Sequence, residues 1–198
     1  ASITGSAQLL GDMSGASDDD RQLLGLIRRE SDRLDRILTE FLDFSRPRSP
    51  SSRELDVDEV LAEVKGMIET RLVREGRTSI DVTLRAPSGL KVWLDRDMLV
   101  QILSNFSING AQAILEGHSG RIQIEVGADA EQVRFRVRDN GVGMAPDLLQ
   151  KVGEAFFTTR QGGVGLGVAI SRHLTTLLGG TFRIQSLEGR GTVVEVAF

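Results

Sequence analysis

Glycine clusters in the last third of the chain constrain its fold more than any other feature. Many of the 22 glycines lie between Gly141 and Gly191, in clusters that are too dense for ordinary turns. Glycine allows positive φ angles and lets the backbone approach a flat ligand or an anion closely. We therefore expect this part of the chain to wrap a ligand rather than only to connect strands.

Composition limits the classes of protein to which this chain can belong. The 198 residues are 40% hydrophobic and 26% charged, which suits one moderate domain with a substantial core plus a smaller unit. The net charge is −4 and no basic block dominates, which argues against nucleic-acid binding. Cysteine is absent, which excludes a disulfide framework and a thiol nucleophile.

Signals for export or membrane insertion are not visible in the sequence. No apolar run approaches the roughly 20 residues that a membrane helix needs, and no secretory signal is present. The chain does not begin with Met, which indicates an excised or processed fragment. We expect a cytoplasmic fragment without a membrane segment, whose parent protein could still be membrane-anchored.

A long amphipathic helix is predicted near the amino terminus. Ser17 and Asp20 form a capping-box pattern, and a helical pattern follows from about 19 to 45. Apolar residues recur there every seven positions, at Ile27, Leu34 and Phe41. This stripe favours a helical bundle; the alternative is an amphipathic helix that packs on its own domain.

Pro47 ends this helix, and a stretch rich in Pro and Ser follows it. Beyond that stretch the pattern changes to alternating helices and strands. We therefore predict a partial helical hairpin over 1–47, a linker over 48–55 and a second domain over 56–198.

The second domain contains three predicted helices and six predicted strands. The helices are expected over Asp56–Leu72, from Asp95 to about Leu115, and over Leu166–Leu178. The strands are expected over Ser79–Ala86, Lys91–Leu94, Arg121–Val126, Gln132–Arg138, Thr181–Leu187 and Thr192–Phe198. This order predicts an α+β fold with a mixed sheet that carries helices on one face.

Two asparagines stand out on the helix that follows Asp95. Asn105 and Asn109 are four residues apart and therefore share one helical face. An amide oxygen can bind Mg²⁺, and the amide NH₂ can bond a phosphate oxygen. The alternative is an exposed pair that bonds only to solvent or to neighbouring loops.

Two further motifs follow strands or lead into helices. Asp139-Asn-Gly141-Val-Gly143 comes directly after a strand, where the acid could accept a hydrogen bond from an exocyclic amine; a tight turn is the alternative. Residues 154–160 (Glu-Ala-Phe-Phe-Thr-Thr-Arg) precede the cluster at 162–167 (Gly-Gly-Val-Gly-Leu-Gly). Because that cluster runs into a helix, its N–H groups form a natural anion site.

In this order, the motifs resemble the N, G1, F and G2 boxes of sensor histidine kinases. The closing Gly189-Arg-Gly-Thr192 is similar to the last glycine motif of that family. The resemblance covers 56–198 closely and 1–47 more loosely, and it is nearest to the nitrogen- and pilus-regulator kinases. It implies a two-layer α/β sandwich of the histidine kinase, gyrase and MutL type, preceded by the helical hairpin.

The resemblance implies roles for individual residues in binding ATP and Mg²⁺. Asn109 would ligate Mg²⁺, and Asn105 would support the phosphates or the metal. Asp139 would bond the adenine amino group, in a pocket formed with Gly141, Gly143 and Thr192. The family's lid and phosphate contacts would fall to Phe156, Thr158, Thr159, Arg160, Gly163, Gly165, Leu166 and Gly167.

The resemblance also implies an activity and partners. Family kinases transfer the ATP γ-phosphoryl group to a histidine, and from there to an aspartate of a response-regulator receiver domain in two-component signal transduction. Their parent proteins dimerise through the helical hairpin. Departures from the family pattern occur at Gly110 and, in the lid, at Gly153, Ala155 and Val164.

The phosphoacceptor motif of the family would lie upstream of Ala1, so no catalytic residue is assigned. The two histidines, His118 and His173, are predicted to be solvated surface residues. We therefore expect the chain to bind nucleotide without phosphorylating itself.

Three other functions remain open at this level. An ATP-driven clamp of the gyrase type would need a general-base acid on the Asn helix, and no acidic residue lies between Leu99 and Leu115. A serine kinase of the anti-sigma type would use the same pocket, but the long helix at 19–45 favours the histidine kinases. A scaffold that has lost ATP binding would not be expected to retain the asparagines, Asp139 and the loop glycines.

Overall fold

The structure is a computed structural model that describes residues 49–160 and 163–198, together with positions 17, 19–20, 22–28, 30–31, 34 and 38. The chain divides into two compact units. One comprises Ala1–Arg46 and Thr158–Val164, and the other comprises Pro47–Phe157 and Gly165–Phe198.

In the first unit, the described residues between 19 and 38 are all helical. The capping box is confirmed, because Asp20 N donates to Ser17 Oγ at 3.1 Å and Ser17 N donates to the Asp20 carboxylate at 2.9 Å. Ile27 and Leu34 of the predicted seam have exposed side chains. Phe41 and the rest of the expected helix lie outside the described residues.

The second unit contains four helices and seven strands among its described residues. The helices are α1 (Val57–Arg74), α2 (Arg96–Ala113), α3 (Pro146–Lys151) and α4 (Gly167–Leu177). The strands are β1 (Arg53–Asp56), β2 (Ile80–Arg85), β3 (Lys91–Leu94), β4 (Gly120–Ala128), β5 (Val133–Asp139), β6 (Thr181–Leu187) and β7 (Gly191–Ala197).

Five of the strands form one mixed sheet in the order β2-β4-β5-β7-β6. Strands β2 and β4 are parallel, and the other neighbours are antiparallel. The parallel pair requires a crossover, which runs through β3 and α2. Strands β1 and β3 form a separate antiparallel pair.

The core lies between one face of the sheet and helices α1, α2 and α4. Strand β4 shows why, because its residues alternate between buried apolar and accessible polar side chains. Ile122 and Ile124 are fully buried against the helices, whereas Arg121 and Gln123 lie on the opposite face. The expected α+β fold, with helices on one face of a mixed sheet, is confirmed.

Two elements were not predicted. Strand β1 overlaps the expected linker over 48–55, and its pairing depends on β3, a partner distant in the chain. Helix α3 lies in the segment expected to be a glycine-rich loop, although Pro146 at its first turn is a common helix-start signal. The division into a hairpin over 1–47, a linker over 48–55 and a domain over 56–198 stays a prediction.

Among the described residues, no helix is both long enough and apolar enough to cross a bilayer.

Candidate functional site

Helix α2 holds the two asparagines on the side that meets α4. Its start is fixed by Asp95, which accepts a hydrogen bond from Met98 N at 3.0 Å. Asn105 Nδ2 donates to Ser171 Oγ on α4 at 2.7 Å, and Asn109 Nδ2 donates to Asn105 Oδ1 at 3.3 Å. The amide pair, Asn105 and Asn109, is thus oriented by α4 rather than left to rotate in solvent.

The start of α4 lies directly against the amide pair. A Cβ atom on Gly167 would come within 2.5 Å of Asn105 Oδ1, so only glycine permits this approach. Leu166, the residue before the helix, is fully buried and anchors it. The first turn of α4 has neither a side-chain cap nor an acidic residue. Its N–H groups and helix dipole therefore favour an anion beside the amide pair.

Asp139 ends β5 and is 8% exposed. Its Oδ1 atom accepts hydrogen bonds from Gly141 N at 2.8 Å and from Thr192 N at 3.2 Å. These two donors compensate the desolvation of the carboxylate and fix its direction. Thr192 is itself held by Ser186, whose Oγ lies 2.9 Å from Thr192 Oγ1.

Gly110 brings Asp139 next to the amide pair. A Cβ atom at Gly110 would lie 2.9 Å from Asp139 Cβ and 3.2 Å from Asp139 Oδ2, so α2 and the end of β5 are in direct contact. Gly110 is the residue after Asn109. The amide pair and the buried acid therefore belong to one region of the second unit.

The loop after β5 needs glycine at two positions. A Cβ atom on Gly141 would lie 2.6 Å from the Ala113 carbonyl oxygen at the end of α2. Gly143 has φ +66°, and a Cβ atom there would lie 2.0 Å from the Leu187 carbonyl oxygen. The loop is clamped between α2 and the turn that joins β6 to β7, which gives the acid a rigid surrounding.

Phe156 and Gly165 are paired through their backbones. Phe156 N donates to the Gly165 carbonyl at 3.0 Å, and a Cβ atom on Gly165 would clash with Phe156 C at 2.6 Å. Phe156 adopts φ 67°, which is rare for an aromatic residue, and its side chain is 58% exposed. This contact joins the segment before the second glycine cluster to the residues that lead into α4.

The remaining predicted site residues lie in Thr158–Val164, which groups with the first unit. They are Thr158, Thr159, Arg160 and Gly163. Within this segment Arg160 N donates to Thr158 Oγ1 at 3.1 Å, and Gly163 N donates to the Arg160 carbonyl at 3.2 Å. Thr159 is exposed. These two contacts are local, and the roles of the four residues stay predictions.

The two histidines lie on the surface, as predicted. His118 is exposed in the turn before β4, where its Nδ1 atom is 3.2 Å from the Glu116 carbonyl oxygen. His173 is exposed on α4. Among the described residues, no group of three or more His, Cys, Asp or Glu side chains could hold a metal ion.

Ser171 is a site residue that sequence reasoning missed. It is fully buried on α4 and receives the Asn105 amide. Its position five residues after Leu166 carries no local signal, because only the packing of α4 on α2 brings it to Asn105. Ser186 was missed for the same reason, since its role depends on the pairing of β6 with β7.

Replacing Ser171 with Ala is expected to weaken nucleotide binding roughly fivefold, because it removes one hydrogen bond of about 1 kcal/mol that orients Asn105. Isothermal titration with ADP and Mg²⁺ measures the effect. Ser107→Ala is a matched control, since Ser107 is also fully buried but donates to the Leu103 carbonyl of its own helix. Equal affinities for the two variants would contradict the positioning role.

Comparison with protein families gives two matches. The histidine kinase-, DNA gyrase B- and HSP90-like ATPase family matches residues 94–198, which is more than half of the chain. The His Kinase A (phospho-acceptor) domain family matches residues 1–50. The first match contains every candidate site residue named above.

Sensor histidine kinase ZraS of Salmonella typhimurium is 30% identical over 200 residues, which are 99% of this chain and 42% of the relative. The chain thus spans about two fifths of that relative's length. Full-length ShkA in complex with AMPPNP superposes with a TM-score of 0.79 at 26% identity, covering 98% of this chain and 42% of that one. The catalytic domain of histidine kinase ThkA gives a TM-score of 0.65 at 27% identity, covering 75% of this chain and 95% of that one.

The family match, the relatives and the arrangement around α2 agree with one another. The matched region begins at the end of β3 and runs through α2, β5 and α4, which together hold the amide pair and Asp139. The chain therefore belongs to the histidine kinase-, DNA gyrase B- and HSP90-like ATPase family, and its relatives place it among the sensor histidine kinases.

Proposed function

We propose that this chain binds ATP with Mg²⁺ and positions the γ-phosphoryl group for transfer to a histidine in two-component signalling. The observation that carries the proposal is the contact of Gly110 with Asp139, because it places a buried acceptor beside the amide pair and the uncapped start of α4. Phosphoryl transfer needs little more from a protein than such positioning and electrostatic stabilisation.

Asp139 is proposed to bond the adenine amino group. Its Oδ1 atom is occupied by the N–H groups of Gly141 and Thr192, and its Oδ2 atom lies toward α2. A buried carboxylate fixed in this way is a strong acceptor for an exocyclic amine. Gly141 and Gly143 would form the wall of the adenine pocket, and Thr192 would lie beside the base.

Mg²⁺ is proposed to be held by Asn109. Mg²⁺ prefers oxygen ligands and is usually shared between one or two protein groups and substrate phosphates. An amide oxygen fits this chemistry, and the Asn109 amide is joined to Asn105 through its Nδ2 atom. When bound, Mg²⁺ would neutralise phosphate charge. Asn105, held by Ser171, would keep the Asn109 amide turned toward it.

The phosphates are proposed to lie at the start of α4. Gly165, Leu166 and Gly167 would supply the backbone N–H groups that surround them. Gly163, Arg160 and the two threonines, Thr158 and Thr159, would complete the lid, with Phe156 at its hinge. The exposed, strained conformation of Phe156 supports a hinge, since such backbone strain is concentrated at functional segments.

Transfer to another protein, rather than hydrolysis, is favoured by the residues of α2. The helix has no acidic residue between Leu99 and Leu115 that could activate a water molecule. Ser104, the residue before Asn105, is buried, and its Oγ atom contacts Met67 Sδ at 3.9 Å. An ATP-driven clamp that depends on hydrolysis is therefore the weaker candidate.

Partners are proposed from the family and from the first unit. Exposed apolar side chains on its described helical residues, including Leu23, Ile27 and Leu34, suit a homodimer built from helical hairpins. A response-regulator receiver domain would accept the phosphoryl group from the histidine. The division into a hairpin over 1–47, a linker over 48–55 and a catalytic domain over 56–198 is part of the same proposal.

Asn109→Ala is expected to abolish most of the gain in ADP affinity that Mg²⁺ provides. The variant removes the proposed metal ligand, and loss of an interaction with a charged group costs about 1.5–3 kcal/mol, or roughly 10- to 100-fold. ADP is titrated with and without Mg²⁺ in both proteins. If the parent binds no ADP at all, the chain is a scaffold; if the variant keeps the full Mg²⁺ effect, Asn109 is not the ligand.

The isolated 198-residue chain is expected to acquire no phosphohistidine from radiolabelled ATP, because His118 and His173 are both exposed surface residues. A second reaction contains a relative's phosphoacceptor domain with its histidine, which we expect to become labelled. Acid-labile phosphate on the isolated chain would overturn the first expectation. Absence of label in the second reaction would count against the kinase activity itself.

A further inference from the structure

The face of the five-stranded sheet that points away from the helices, here called the open face, carries a cavity of about 510 Å³. Drug- and metabolite-sized ligands occupy cavities of about 300–1,000 Å³. The cavity lies at the edge of the sheet where β4 and β7 begin and β5 and β6 end, next to the turn that joins β6 to β7. All of its lining residues belong to the second unit.

Three arginines line this cavity: Arg121 on β4, Arg138 on β5 and Arg190 in the turn. Arg138 is paired in register with Gln123 on one side and Val193 on the other, so its side chain stands in the middle of the open face. None of the three guanidinium groups forms an ion pair with any residue that the structure describes.

Two other arginines on the same face form ion pairs. Arg136, two residues before Arg138, bonds Glu195 at 2.5 Å, and Arg134 bonds Asp129 at 2.8 Å. If the open face served only to keep the protein in solution, there would be no reason for three arginines without ion pairs to surround one cavity. The net charge of the chain is −4, so the positive charge is local to this cavity.

The lining contains no carboxylate that could serve these arginines. Asp139 contributes to the cavity wall, but its carboxylate bonds the N–H groups of Gly141 and Thr192 and lies against Gly110 of α2. The polar remainder of the lining includes Gln123 and Gln185, which can donate and accept hydrogen bonds. The cavity is thus electropositive and suited to a polar anion.

We propose that the open-face cavity binds a small molecule bearing two or more phosphate groups. Arginine forms paired hydrogen bonds to phosphate oxygens, and three cations that share one cavity match a multivalent anion better than a single phosphate. The arginine side chains lie on the face of the sheet opposite the amide pair, and the cavity borders the proposed adenine pocket at Asp139 and Thr192. The proposal does not depend on nucleotide binding.

The probe is inorganic pyrophosphate, titrated calorimetrically into the nucleotide-free chain, with citrate at matched ionic strength as a carboxylate probe. Arg138→Gln and Arg190→Gln are each expected to weaken pyrophosphate binding at least roughly tenfold, as loss of a charge-assisted bond implies. Arg183→Gln is the matched control, since Arg183 is an exposed arginine of β6 outside the cavity lining. Thermal unfolding verifies that each variant is folded.

The titrations are repeated in an Asn105→Ala background, because pyrophosphate also fits the phosphate region of the proposed nucleotide site, to which Asn105 belongs. Weakening by both cavity variants in both backgrounds, with Arg183→Gln near the value of its own background, supports the proposal. Absence of pyrophosphate binding, cavity variants that bind as tightly as their parent, or loss of the cavity variants' effect in the Asn105→Ala background would overturn it. Tighter binding of citrate than of pyrophosphate would overturn the assignment to phosphates.

Discussion

Asp139→Asn is expected to weaken ADP binding by about 100-fold. The variant would place an amide N–H donor opposite the adenine amino group, which is also a donor, and a site whose polar groups are left unpaired binds its ligand much more weakly. The Asn oxygen can still accept from Gly141 N and Thr192 N, so the fold is retained. The new amide NH₂ would then point at the adenine amino group. Guanine carries an acceptor at that position, so the preference for ADP over GDP should shrink. Both affinities are measured by calorimetry.

Asp129→Asn is the matched control for this substitution. Asp129 also accepts hydrogen bonds from two backbone N–H groups, those of Glu131 and Gln132, but it lies in the exposed turn between β4 and β5. The same change in charge and shape at that turn should leave ADP affinity unchanged. An Asp139→Asn variant that binds ADP as tightly as Asp129→Asn would contradict the adenine role.

Gly143→Ala is expected to destabilise the second unit by about 3–4 kcal/mol, the range of severe steric and backbone effects. The added methyl group would lie 2.0 Å from the Leu187 carbonyl oxygen, a backbone atom that cannot move without disturbing the turn between β6 and β7. The residue would also have to hold φ +66° with a side chain. Urea unfolding gives the change in free energy.

Gly189→Ala isolates the steric part of that effect. Gly189 has φ +73°, close to that of Gly143, but nothing lies within 4 Å of a Cβ atom placed on it. Left-handed backbone strain alone costs about 1–2 kcal/mol. Similar losses of stability in the two variants would show that the contact with Leu187 contributes nothing to the effect of Gly143→Ala. The loop after β5 would then not be clamped.

The periodicity of the chain predicted most of the second unit. Strand β4 and helix α2 have strong patterns, because each presents one apolar face to a single core. Strand β1 and helix α3 were missed for physical reasons. The four residues of β1 are held by β3, which lies far along the chain, and α3 is too short for a period to emerge.

The residues of the site were predictable as types but not as contacts. Asn105 and Asn109 share a face by spacing alone, and the glycines indicate close backbone approach. The contact between Gly110 and Asp139 depends on how α2 packs on β5, which no local pattern specifies. Ser171 likewise enters the site only through the packing of α4 on α2. Packing between elements, rather than propensity within them, assembles the pocket.

The most direct test is a crystal structure of the chain with ADP and Mn²⁺, in which anomalous scattering locates the metal that replaces Mg²⁺. We expect the adenine amino group within hydrogen-bonding distance of the Asp139 carboxylate, and the metal in contact with Asn109 Oδ1. An adenine bound elsewhere, or a metal peak remote from Asn109, would contradict the account.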